Sequence, residues 1–131
     1  MLAQLTQSGN PLADIVLIVD DDQAVRDALK FALELDGMSI RTCSSGEELL
    51  RHPDLGSAGC LVLDYRMPEM NGLAVLAELR RRGIDLPVVL IISNLTKEIE
   101  RRANAAGVAK ILEKPLIEDV LMKTIRRILG K

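Results

Sequence analysis

Ile15-Val16-Leu17-Ile18-Val19 runs straight into Asp20-Asp21-Asp22, and this junction decides the fold class. Five consecutive apolar residues, mostly β-branched, describe a strand buried on both faces, as in the interior of a parallel sheet. A covering helix follows. Val25, Ala28, Leu29, Ala32 and Leu33 fall at i, i+3, i+4, i+7 and i+8, which makes one apolar stripe. Gly37 stands where a helix stop is wanted.

Working outward, the same unit recurs. Met38, Ile40 and Thr42 alternate with polar neighbours and predict a second strand nearer an edge. Ser44-Ser45-Gly46-Glu47-Glu48 holds two overlapping capping boxes for a short helix through about Arg51. Cys60-Leu61-Val62-Leu63 is a third strand ending at Asp64, and Asn71 caps a helix closed by Gly83. Val88 to Ile92 is a fourth strand, followed by a helix over roughly Thr96 to Ala106 that Gly107 stops. Val108 to Glu113 is a fifth, and Ile117, Val120, Leu121, Thr124, Ile125 and Ile128 mark the last helix.

A β-α unit repeated five times with short loops specifies a parallel sheet with helices on both faces. The fold class is α/β, a doubly wound (βα)5 flavodoxin-like arrangement with a five-stranded parallel sheet in the order 2-1-3-4-5. A barrel needs eight units. Residues 1–13 are polar, carry the turn signal Ser8-Gly9-Asn10-Pro11 and read as a flexible leader; residues 14–131 form the one domain. In that order Cys43 and Cys60 are separated by a whole strand, about 9.6 Å across two strand spacings. That exceeds the reach of a disulfide, so both are expected to be reduced packing residues.

Bulk composition excludes several classes. The 131 residues carry a formal net charge of −2, which gives no basic field for nucleic acid. Phe31 and Tyr65 are the only aromatics, too few for base stacking. No apolar run approaches a membrane span, and the N-terminus lacks the features of a secretory signal. These features predict a cytoplasmic protein.

In an open parallel sheet the chemistry sits beyond the carboxyl ends of the strands, at the switch in strand order. The residues leaving those ends are Asp20 and Asp21, Asp64, Ser93 and Lys114. Three carboxylates crowded together repel unless a cation joins them. Oxygen donors with no His or Cys nearby favour Mg²⁺ over zinc or copper. A carboxylate can also act as a nucleophile toward phosphorus, and Asp64, ending the central strand, is the best placed. Asp22 reads as the helix cap. The lone His52 reads as a turn residue facing solvent.

Ile18-Val19-Asp20-Asp21-Asp22, the run Leu63-Asp64-Tyr65-Arg66-Met67-Pro68-Glu69-Met70-Asn71-Gly72, and Glu113-Lys114-Pro115 together resemble the response-regulator receiver domains of two-component signalling. The resemblance covers about residues 14 to 130. It implies that Asp64 is the phosphoacceptor and that Asp21 binds Mg²⁺ directly. Asp20 is then the second acidic position, and Arg66 gives a backbone carbonyl to the metal. Lys114 is the phosphate-pairing lysine, preceding a cis peptide to Pro115. The family's switch hydroxyl usually lies five residues beyond a proline such as Pro87, a count that lands on Ile92. Ile cannot contact phosphate, so Ser93, one residue later, is assigned the role. Ile111 and Leu116 stand where the family often has aromatics.

The implied function is that of a phosphoacceptor receiver domain. A sensor histidine kinase or phosphotransfer protein donates to Asp64, and the change switches a surface that binds a downstream protein target. It is not an enzyme beyond self-phosphorylation and slow autodephosphorylation. A homodimer through the last two helices is a further expectation, drawn from Lys123, Arg126 and Arg127 on the outer side of the last one. The rival reading is a phospho-independent receiver-like interaction module, raised by the altered strand-4 spacing and Ile111. A phosphohydrolase with an Asp nucleophile would carry a second Asp two residues on, where Arg66 stands.

Overall fold

The computed structural model describes residues 14–117 and 119–131; the leader predicted over residues 1–13 lies outside the described residues. Five parallel strands, β1 (Ile15–Val19), β2 (Ser39–Cys43), β3 (Cys60–Asp64), β4 (Val88–Ile92) and β5 (Lys110–Glu113), form one sheet in the order β2-β1-β3-β4-β5. The helices between and after them are α1 (Gln23–Leu35), α2 (Gly46–Leu50), α3 (Gly72–Arg81), α4 (Lys97–Ala105) and α5 (Val120–Leu129). The predicted order and class are those observed.

Strand alternation divides the core in two. Leu17, Val19, Leu61, Leu63 and Leu90 point to the face covered by α2, α3 and α4, against Leu49, Leu76, Leu79 and Ala103. Val16, Ile18, Val62, Val89 and Ile91 point to the other face, against Leu33 of α1 and Leu121 and Ile125 of α5. Each fully buried Leu or Ile contributes about 1.5–3 kcal/mol of transfer free energy. Central strands wholly buried on both sides explain why β1, β3 and β4 are unbroken apolar runs.

Local closures set the element ends. The glycines after α1 and α3, Gly37 and Gly83, take φ of 90° and 76°, the left-handed turn that a Cβ disfavours. The residue after each then donates its N–H back into the last turn: Met38 to Leu33 O at 3.1 Å, and Ile84 to Leu79 O at 3.0 Å. Val108 closes α4 in the same way onto Ala103 O. Met38 and Val108 are therefore spent on helix closure, and β2 and β5 start later than their apolar patterns suggested. Ile117 also corrects an expectation. It lies in the loop after β5, ahead of the α5 cap residue Asp119, and is 70% exposed rather than part of the buried stripe.

Cys43 and Cys60 are free thiols facing opposite sides of the sheet. Burial pushes both up to about 12, which leaves them protonated and unreactive at neutral pH. Between α1 and α5, the Arg126 guanidinium forks onto the Asp36 carboxylate, with Nε 2.7 Å from Oδ2. Arg126 is thus committed within the chain, and Lys123 pairs with Asp119 at 3.4 Å.

Candidate functional site

The order of the sheet reverses at β1, so β1 and β3 send their following helices to opposite faces and leave a crevice beyond their carboxyl ends. An open cleft of about 440 Å³ lies there, lined among others by Asp20, Asp21, Asp64, Arg66, Ser93 and Lys114. All six sequence-derived site residues are brought to this one place.

The acidic side is built by the β1–α1 turn. Asp20 extends the strand, its N–H donating to Cys43 O at 3.2 Å. Its Oδ1 accepts the Asp22 N–H at 2.9 Å, which folds the turn back beneath the cleft. Asp22 caps α1, accepting from the N–H groups of Ala24 at 2.9 Å and Val25 at 3.3 Å. Asp22 is thus the helix cap that its position predicted, while Asp20 gives one carboxylate oxygen to the turn.

Asp64, at the end of β3, is only 5% exposed. Its neighbour Tyr65 donates to Ile91 O at 2.8 Å, which fixes the strand end against β4. Oxygens of Asp20, Asp21 and Asp64 all lie within 4.8 Å of one another. Burial pushes the Asp64 carboxyl above the usual carboxylate range. The Asp20 charge pushes the same way, the Lys114 ammonium pulls against both, and the Asp21 charge adds a smaller upward push. Lys114 Nζ stands 3.4 Å from Asp64 Oδ1, and the Lys114–Pro115 bond is cis.

Across the cleft, Ile92 is the last residue of β4, buried and paired with Glu113. Ser93, the next residue, is exposed and lines the cleft. The one-residue offset in the sequence therefore brings a hydroxyl, not an Ile side chain, to the rim. His52 stays apart, its Nδ1 accepting the Asp54 N–H at 3.0 Å beyond α2.

Three hard oxygen donors mutually close and incompletely neutralised suit a divalent cation of the Mg²⁺ kind. The site also uses residues to which pattern reading assigned no role. Arg26 Nη1 donates to Asp20 O at 2.8 Å and pins the acidic turn to α1. A cation near the start of a helix opposes the macrodipole, and that misplacement was the available signal. Gly72 donates to Tyr65 O at 2.8 Å, and a Cβ there would stand 2.9 Å from Asp64 O and 3.0 Å from Tyr65 Cα. Backbone cannot yield as a side chain tip can. Gly72→Ala is expected to cost about 1–3 kcal/mol in urea unfolding and to displace the Asp64 loop. An unchanged midpoint would show that α3 can move away freely.

The family model described as the response regulator receiver domain matches residues 16–126. The chain is 35% identical over 114 residues to the response regulator protein TodT of Pseudomonas putida, covering 87% of this chain and 50% of the relative. It is 34% identical over 116 residues to the transcriptional regulatory protein FixJ of Azorhizobium caulinodans, covering 88% of this chain and 55% of that protein. The chain thus spans about half the length of these relatives. Among solved structures it is similar to FixJ-N, with a TM-score of 0.78 and 32% identity over 88% of this chain and 93% of the other. The Vibrio cholerae chemotaxis protein CheY4 gives 0.79 and 25%, over 87% and 97%.

Proposed function

The chain belongs to the response regulator receiver domain family of two-component signalling, and from that premise we propose that Asp64 accepts a phosphoryl group and so switches a binding surface. The observation that carries this reading is the convergence of Asp20, Asp21, Asp64, Ser93 and Lys114 on one cleft at the switch point of the sheet. An Asp64 carboxylate oxygen attacks the phosphorus of a phosphohistidine, the new O–P bond forming as the N–P bond breaks and imidazole leaves. A sensor histidine kinase or phosphotransfer protein presents that donor.

Chain residues supply the positioning. Lys114 pairs with the incoming phosphoryl oxygens, the Ser93 hydroxyl hydrogen-bonds them, and the β3 backbone holds the nucleophile in place. Asp20, Asp21, Asp64 and the Arg66 carbonyl would hold Mg²⁺. When bound, the ion supplies charge neutralisation for the carboxylates and the transferred group. Burial first, and then the Asp20 charge, raise the Asp64 pKa against the pull of Lys114, so a further cation at the cluster would favour the ionised nucleophile. A downstream protein, or a second copy through α4 and α5, then meets the altered surface.

The test uses purified full chain with an acyl phosphate as donor. Intact mass is expected to rise by one phosphoryl group with Mg²⁺ and not with a chelator. Folded protein that takes up nothing in either condition would remove the proposal.

A further inference from the structure

We propose that Arg26 is a positioning residue for the cation site: it aims Asp21 by holding the peptide between Asp20 and Asp21, and it sets divalent-cation affinity by geometry rather than by its charge. The proposal deepens the reading of the cleft as a Mg²⁺-holding phosphoacceptor site and rests on it.

The Asp21 side chain has nothing of its own to aim it. It is exposed and makes no hydrogen bond or ion pair among the described residues, whereas Asp20 and Asp22 both spend oxygens on the turn. Its direction is therefore set by the two peptide units that flank it. The unit after it is fixed by the Asp22 N–H, which donates to Asp20 Oδ1 at 2.9 Å. The unit before it carries the Asp20 carbonyl, just past the last ladder pairs of β1, Val19 with Cys43 and with Leu63. Asp20 is buried, so that carbonyl needs a partner within the chain. Arg26 Nη1 supplies it at 2.8 Å. A peptide unit is planar, so holding its oxygen also fixes the direction in which the chain enters Asp21. The Arg26 main-chain N–H meanwhile donates to Asp22 O at 3.0 Å. One residue thus grips the turn on both sides of Asp21.

The choice of partner separates geometry from charge. Three carboxylates crowd the cleft that this turn lines, yet Arg26 forms no ion pair among the described residues and gives its donor to a neutral carbonyl. Glu48 is near as well. Its carboxyl is held below the usual carboxylate range, first by the Ser44 N–H at 2.6 Å and more weakly by the Arg26 charge, and still no ion pair forms. A cation so near the start of α1 also opposes the helix dipole, so the charge alone gives no reason for its place. The carbonyl contact does.

Chemical-shift titration of the full, chelator-treated chain with MgCl₂ alone, read at the Asp21 and Asp64 amides, measures affinity without any phosphodonor. Arg26→Met keeps the apolar stem and loses both the donor and the charge. Removing a cation beside a cation site would, by charge alone, tighten binding. Arg26→Met is instead expected to bind Mg²⁺ about tenfold more weakly, the effect of losing a group that orients a ligand. Lys30→Met removes a cation from the same helix, at a side chain paired with Glu34 and not with the turn. It is expected to leave the Kd within about twofold, since exposed charges are screened. Equal or tighter binding by Arg26→Met, or as large a loss in Lys30→Met, would overturn the proposal. Should Arg26→Met fail to fold, Arg26→Lys carries the test. The charge stays, but the ammonium ends one bond short of the guanidinium tip, and the expected loss is about threefold. An unchanged Kd in that variant would overturn the proposal too. An unsubstituted chain whose amides ignore Mg²⁺ would overturn the cation reading itself, and this proposal with it.

Discussion

Asp64→Asn is expected to take up no phosphoryl group under conditions that saturate the unsubstituted chain, with the initial rate lower by at least about a thousandfold. The substitution is nearly isosteric. It keeps the strand end, the Tyr65 N–H bond to Ile91 O and the volume facing Lys114. What it removes is the anionic oxygen that must form the new bond, and a neutral amide is a far poorer nucleophile. Losses at the positioning residues are expected to be smaller. Lys114→Ala or Ser93→Ala removes one contact to the transferred oxygens, an effect on the order of 10²–10³ for a preorganised donor. Intact-mass kinetics with acyl phosphate read all three. Uptake by Asp64→Asn at the parental rate would mean that a different carboxylate, Asp20 or Asp21, is the acceptor.

The parts of this molecule that repeat along the chain are legible in the sequence itself. β1, β3 and β4 are apolar because they are covered on both faces, and Asp20, Asp64 and Ser93 mark where each run stops. Gly37, Gly83 and Gly107 announce helix ends because only a residue without Cβ enters the left-handed turn cheaply. Strand order follows from unit count and chain connectivity, and it brings the acidic tips together. What stayed hidden are ties with no period. Arg126 meets Asp36 across 90 positions, and Arg80 reaches Ala106 across 26. In sequence each is one more cation in a basic cluster, and only packing reveals which carbonyl or carboxylate it serves. The phase of Ile117 failed for a related reason. A loop residue that happens to match the helical period cannot be told from a buried one until the cap at Asp119 is located.

The contribution of Asp64 to the stability of the metal-free protein is expected to fall as pH rises from about 4 toward neutrality, because Asp64 is harder to ionise folded than unfolded. The sign follows from the proton count. A carboxyl with a raised folded pKa contributes its full stability below its unfolded value, and that contribution is lost as pH climbs through the folded value. Ionised Asp64 must then sit buried beside the Asp20 and Asp21 charges, with Lys114 the offsetting partner. Asp64→Asn escapes that penalty and is expected to be the more stable chain at pH 7, with the gap closing toward pH 4. Mg²⁺ should reverse the order. An ion that binds only the folded state adds about 2.7 kcal/mol when its concentration is a hundred times its Kd. The unsubstituted chain gains this, while Asp64→Asn, short of one anionic ligand, gains less. Urea midpoints for both chains, with Mg²⁺ and with chelator, give four curves at each pH. The decisive feature is a crossing: Asp64→Asn ahead without metal and behind with it. Parallel curves with the variant always ahead would show that the three carboxylates are merely crowded, and that the cleft does not hold the ion its donor set fits.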